Sequence, residues 1–245
     1  MKRTIAFKAV VGSENYNLVT KESDKDYKTF VIPTFADLYD RTIYTDSMVK
    51  QTIDEEIHDV RKLPTLWWKS NVNFLEVLFA REIIINDNSL VKRAVNELLA
   101  RKQDIATMNL PYLYKACQGM YLSKYKYLEK GNKSTNHLVE EFGYDTKSAM
   151  HAYRILDFVE RFSSNHFRNF QEAMTYNDND REFMVAIKKG RYTKDEVKQL
   201  IDEKLSACEK LKNVYLSQPV NEQTKSIVET IIYELTVDCI KGELQ

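Results

Sequence analysis

Glycine and proline are scarce, six and four in 245 residues, together about a third of their usual share. So little punctuation argues against a Pro/Gly-rich disordered chain and against an all-β protein with many tight turns. Long helices with a few strands are the better expectation. Cysteine is equally thin: Cys117, Cys208 and Cys239 lie far apart with no paired spacing. That excludes a disulfide or zinc framework and reads as reduced thiols in a cytoplasmic protein. Neither sign of charge is in excess, with 36 basic and 36 acidic side chains. A globally basic nucleic-acid coat is thereby excluded, although a local basic patch is not. Apolar runs such as Ile83-Ile84-Ile85 are far too short to span a bilayer. Met1-Lys2-Arg3-Thr4 carries charge, but no signal-peptide core follows it. No membrane partner is expected.

What is present divides at about residue 60. Thr4 to Val11 (TIAFKAVV) is β-branched and apolar and predicts a strand; Asp26 to Ile32 (DYKTFVI) predicts a second, ended by Pro33. Gln51 to His58 (QTIDEEIH) predicts a third despite its acidic residues. From Asp59 the apolar period becomes helical, through Val60, Leu63, Leu66 and Trp67 and on through Asn73 to Ala80. Further helices are expected over Ser89 to Leu99, Pro111 to Lys130, Asp145 to Phe162, Thr193 to Val214 and Asn221 to Ile240. Asn177 to Asp180 reads as a loop. The expected class is α+β, a small mixed N-terminal sheet (residues 1–85) followed by a large helical body (86–245).

The chemistry concentrates in Val10 to Ile32. A strand runs into Gly12-Ser13, and Asp24-Lys25-Asp26 follows about ten residues later at the start of the next strand. Residues i and i+2 of a strand project to one side, so the two carboxylates repel unless a cation lies between them. Hard cations such as Mg2+ take one or two carboxylates together with substrate phosphates. A Gly-Ser turn can offer amides and a hydroxyl to phosphate, and a residue without Cβ allows close approach. On the strand from Gln51, alternation places Asp54, Glu56 and His58 on one face.

Strand, Gly-Ser, Ser-Asp-x-Asp, strand resembles the active-site core of polymerase-β-type nucleotidyltransferases. The resemblance implies that Gly12 and Ser13 grip an NTP and that Asp24 and Asp26 hold Mg2+ or Mn2+. It also implies a third acid on the neighbouring strand, for which Glu56 is the choice and Asp54 the reserve. Two later segments are similar to a branch found beside RNA ligases and in many phages. One runs from Asp59, with Lys69, Asn71, Asn73 and Glu76 at matching positions. The other is Lys147, His151 and Arg154, at i, i+4 and i+7 on one helix face. The resemblance implies a helical domain that carries these three against the sheet, to clamp the nucleotide phosphates across a cleft. As a plain helix surface the same stripe would pair with Glu140, Glu141 or Asp157. Two departures stand out: Asn17 where the branch has glycine, and Lys25 where it has an apolar residue.

One segment lies outside these motifs. Residues 111–136 hold Lys115, Lys124, Lys126, Lys130 and Lys133 against Glu129 alone, interleaved with five tyrosines. Lysine beside planar rings suits a single-stranded or tRNA-like acceptor. A helix that buries one tyrosine face and solvates its lysines is the preferred reading. The function expected is metal-dependent transfer of a nucleotidyl group from an NTP such as ATP to an acceptor hydroxyl, on RNA or tRNA. The alternative is a non-catalytic nucleotide- or RNA-binding protein that retains the fold, an alternative that Lys25 keeps open.

Overall fold

A computed structural model describes residues 3–21, 23–50 and 53–243. The protein is α+β, a five-stranded mixed sheet followed by a helical body. The strands are β1 (Ile5–Val11), β2 (Lys25–Val31), β3 (Thr45–Lys50), β4 (Ile53–Asp59) and β5 (Ile83–Ile85), in the order β3-β4-β2-β1-β5. The β2–β4 pair is parallel and the other pairs are antiparallel. The third expected strand thus appears as β4; Gln51 and Thr52, where it was to begin, lie outside the described residues.

The chain forms two compact units. The first contains the sheet with helices α1 (Phe35–Tyr39), α2 (Leu63–Trp68), α3 (Val72–Leu75), α4 (Ser89–Ala100) and α5 (Lys102–Thr107). The second contains α6 (Leu110–Tyr125), α7 (Asn136–Phe142), α8 (Thr146–Ser164), α9 (Phe170–Met174), α10 (Asp178–Lys188) and α11 (Lys194–Leu216). The last helix, α12 (Glu222–Glu243), returns to the first unit. The short segment 16–20 belongs to the second unit.

In the first unit one sheet face carries the core. Phe7 and Phe30 stack at 4.6 Å, and Phe74 closes on Phe30 and His58 edge-on. Trp67 is fully buried and donates its indole N–H to the Phe74 carbonyl at 2.9 Å. Burying rings of this size while satisfying the one polar atom is what seats α2 and α3 on the sheet. On the opposite sheet face Lys8 pairs with Glu55 and lies over Tyr27, and Thr29 donates to Glu55, beside the buried Val10.

In the second unit α6, α8 and α11 pack together. The Tyr114 hydroxyl donates to the Cys208 carbonyl and that of Tyr215 to the Val159 carbonyl, so buried hydroxyls tie α6 to α11 and α11 to α8. Asp145 caps α8, and Thr193 with Glu196 forms a reciprocal capping box on α11. The stretch expected to be a loop at Asn177 to Asp180 is instead a helix start. The Asn177 side chain accepts the Asp180 N–H and caps α10. Among the described residues no helix is long and apolar enough to cross a membrane.

Candidate functional site

The turn after β1 is built by Glu76. Residues 12–14 form one 3-10 turn, with Gly12 at φ +71°. The Gly12 N–H donates to the buried Glu76 carboxylate at 3.2 Å, and the Asn15 amide approaches the same carboxylate and the Glu76 carbonyl. Asn15 in turn accepts the Arg81 N–H at 3.2 Å. Glu76 begins a short 3-10 helix, Glu76–Phe79, whose four side chains are buried. The turn is thus anchored from below by groups that are themselves fixed.

Asp26 lies on this turn. A Cβ added at Gly12 would overlap the Asp26 carboxylate, so the close approach needs the glycine. In the parallel ladder Asp26 stands opposite Asp54, Lys28 opposite Glu56 and Phe30 opposite His58. The alternation expected for Asp54, Glu56 and His58 is therefore present, and the register separates their surroundings. Glu56 pairs with the buried Lys28, and its carboxylate lies 3.3 Å from His58 Nε2. His58 Nδ1 lies 3.3 Å from Lys62, which also donates to Thr45. Hydrogen bonding to His58 and then to Lys28 outweighs partial burial and holds the Glu56 carboxyl down at about 2. Asp54 is the acid beside Asp26.

Asp24 sits one residue before β2 and is exposed. Lys25 pairs with Glu82 at 3.2 Å and leans over the Tyr27 ring. Among the described residues no three acidic, histidine or cysteine side chains converge closely enough to hold a metal ion. The donor set still fits a hard divalent cation in kind. It is all carboxylate, and like charges on adjacent strands oppose each other until a cation neutralises them.

In the second unit, Lys147, His151 and Arg154 share one face of α8, as the spacing predicts. The Arg154 guanidinium stacks 3.6 Å over the Tyr16 ring. The segment that holds Tyr16 is itself fastened by Asn17, at φ 60°, donating to the Tyr176 carbonyl, and by Arg181 donating to Val19. Asparagine thus takes the left-handed angle that glycine would otherwise supply. His151 is driven well below its ordinary value by burial and then by Arg154, Lys124, Lys147 and Lys188. Burial, with Arg154 and Lys147 nearby, also lowers Lys124. Asp157, a candidate partner for this stripe, is taken by Lys204 at 2.8 Å and by the Tyr176 hydroxyl at 3.0 Å.

A model of the RNA repair pathway DNA polymerase beta family matches residues 2–227, most of the chain. The chain belongs to that family. Among solved structures it is similar to a nucleotidyltransferase-like protein from Exiguobacterium sibiricum. That likeness has 13% identity and a TM-score of 0.29, and it covers 96% of this chain and 69% of the other. No curated protein matches. Membership in this polymerase-β-type family makes the protein a nucleotidyltransferase-like one. Two members of the α8 cluster escape the sequence: Lys124 belongs there to the basic-aromatic segment, and Lys188 carries no local signal. Only helix packing brings α6 and α10 beside α8, and no local spacing carries that signal.

Proposed function

We propose that this protein transfers a nucleotidyl group from an NTP to an acceptor hydroxyl on RNA or tRNA, with Asp24, Asp26 and Asp54 as the working carboxylates. The observation that carries the reading is Asp26 packed on a glycine turn with Asp54 in direct register beside it. The acceptor oxygen bonds to the α-phosphorus while the bond to pyrophosphate breaks and pyrophosphate leaves with the electron pair. Asp54 takes the hydroxyl proton. Gly12 contributes close approach and no donor, because its N–H is committed to Glu76. Ser13 and the Glu14 amide hold phosphate oxygens, the Asn15 N–H being committed to the Gly12 carbonyl. Divalent cations, Mg2+ or Mn2+, bound at Asp26 and Asp54 together with the substrate phosphates would neutralise the triphosphate and acidify the acceptor hydroxyl.

Glu56 is assigned a different task from Asp54. Bound to Lys28 and His58, it neutralises a buried ammonium and fixes the strand pair. On α8, Lys147, His151 and Arg154 form an anion-binding face suited to polyphosphate. Lys25, which would favour the non-catalytic reading if it entered the acidic face, is engaged with Glu82.

Incubation with each α-labelled NTP, Mg2+ or Mn2+, and total RNA tests the proposal. Label should enter RNA with the wild-type chain and be lost in Asp26→Asn and Asp54→Asn. NTP binding without any transfer under either metal would return the protein to the non-catalytic reading.

A further inference from the structure

The basic segment at 111–136 has a second, outward side. The α6 core face carries Leu113, Tyr114, Cys117 and Tyr121, all buried, so part of the tyrosine series is structural as the sequence suggests. Lys124 is turned toward the His151 cluster. What remains outside is Tyr112, Lys115, Gly119, Leu122 and Lys126, every one exposed. Tyr112, Lys115, Gly119 and Leu122 lie on α6 at spacings of 3, 4 and 3, one helical stripe, and exposed Lys126, Lys130 and Lys133 follow in the turns after the helix. Lys126 and Lys130 lie over the Tyr127 ring at 4.9 and 6.0 Å.

Two features set this face apart. First, its charge is segregated in a chain whose net charge is zero. The one acid of the segment, Glu129, is already paired with Lys198 at 2.5 Å, which leaves the lysines to set the potential. Second, Gly119 sits mid-helix, where it costs about 0.5–1 kcal/mol relative to alanine. Packing gives no reason for it, since nothing lies within 4 Å of where its Cβ would stand. A bare backbone patch between an exposed tyrosine and an exposed leucine lets a flat group lie close, with cations on either side.

We propose that this stripe is a docking track for a single-stranded nucleic acid, its phosphates held by Lys115, Lys126, Lys130 and Lys133 and its bases resting on Tyr112 and the Gly119 backbone. Charge complementarity selects a polyanion, and the planar and bare positions select one with bases. The track lies wholly within the second unit and is independent of the nucleotidyl chemistry.

The test is fluorescence anisotropy with a labelled single-stranded oligoribonucleotide over a salt series, with no NTP or divalent metal present. The triple variant Lys115→Gln, Lys126→Gln, Lys130→Gln should weaken binding at least ~10-fold. It should also flatten the log affinity against log salt slope by about 2, since each strand phosphate contact contributes about 0.7. A control triple of equal charge change on exposed lysines elsewhere, Lys92→Gln, Lys210→Gln and Lys212→Gln, should leave slope and affinity near wild type. Tyr112→Ala should weaken the oligonucleotide several-fold and leave inorganic polyphosphate unaffected, and Gly119→Ala should melt higher while binding less. Wild-type binding by the stripe triple, or equal loss in the control, overturns the track. Equal affinity for polyglutamate, lost in the same triple, would replace nucleic acid with an acidic protein.

Discussion

Gly12→Ala separates the stability of the turn from its use. Gly12 sits at φ +71°, where an L side chain costs about 1–2 kcal/mol. In a domain pair of this size that lowers the melting temperature by about 2–8 °C. The added methyl also overlaps the Asp26 carboxylate, which must turn aside to make room. Gly143→Ala supplies the reference, because Gly143 has φ +79° with open space around it and so carries only the backbone penalty. Gly12→Ala should therefore melt at or somewhat below Gly143→Ala, measured thermally and in urea. Their transfer activities should diverge sharply. Displacing a reacting group by about 1 Å can cost 100-fold in rate, so Gly12→Ala should fall by that order while Gly143→Ala stays near wild type. If Gly12→Ala transfers label as well as Gly143→Ala does, the packing of Asp26 on the turn has no part in function.

The parts of this arrangement that the sequence announces are those made by neighbours in the chain. β1, β2 and the Gly-Ser turn follow from β-branched runs and one glycine, and the caps at Asp145 and Thr193 follow from three-residue spacings. Elements that exist only because something pairs with them are invisible. β3 (TDSMVK) is polar and forms by pairing with β4, and β5 is three isoleucines laid against β1. At Asn177 to Asp180 the residues that suggested a turn do make one locally, and that turn is a helix cap. The site divides along the same line. Spacing brings Asp26 near the turn and puts Asp54 and Glu56 on one strand face. Choosing between those two acids needs the parallel register, a property of two strands that alternation in one strand cannot contain. Glu76 likewise reaches Gly12 across 64 residues of sequence.

The register makes the first remaining prediction: Asp54→Asn should lose transfer with little loss of stability, whereas Glu56→Gln should keep most transfer and melt lower, because it strands the buried Lys28 ammonium. The reverse pattern in paired activity and melting assays would restore Glu56 as the third acid. The Glu56 carboxyl is held at about 2 against an ordinary 4.5. Its contribution is therefore complete above about 4.5 and disappears as pH falls toward 2. Urea titrations of wild type and Glu56→Gln should converge over that window, and a constant gap would refute the pairing. The last prediction concerns His151. Its folded value lies well below 6.5, so near pH 6 the unfolded chain binds a proton that the native ring refuses, and native stability declines as pH drops below about 6.5. The causes are burial and the surrounding cations Arg154, Lys124, Lys147 and Lys188. An anion placed among those cations offsets their share of the effect and leaves that of burial, so polyphosphate or NTP binding at pH 6 should shift His151 toward its protonated form. Titration calorimetry in two buffers of different ionisation enthalpy reads that uptake directly, as an apparent binding heat that changes with the buffer. His151→Gln should change the buffer dependence while retaining part of the affinity, since the terminal phosphate also titrates near pH 6 and the lysines and Arg154 remain. A buffer dependence that His151→Gln leaves unchanged would mean that the bound anion does not act on His151.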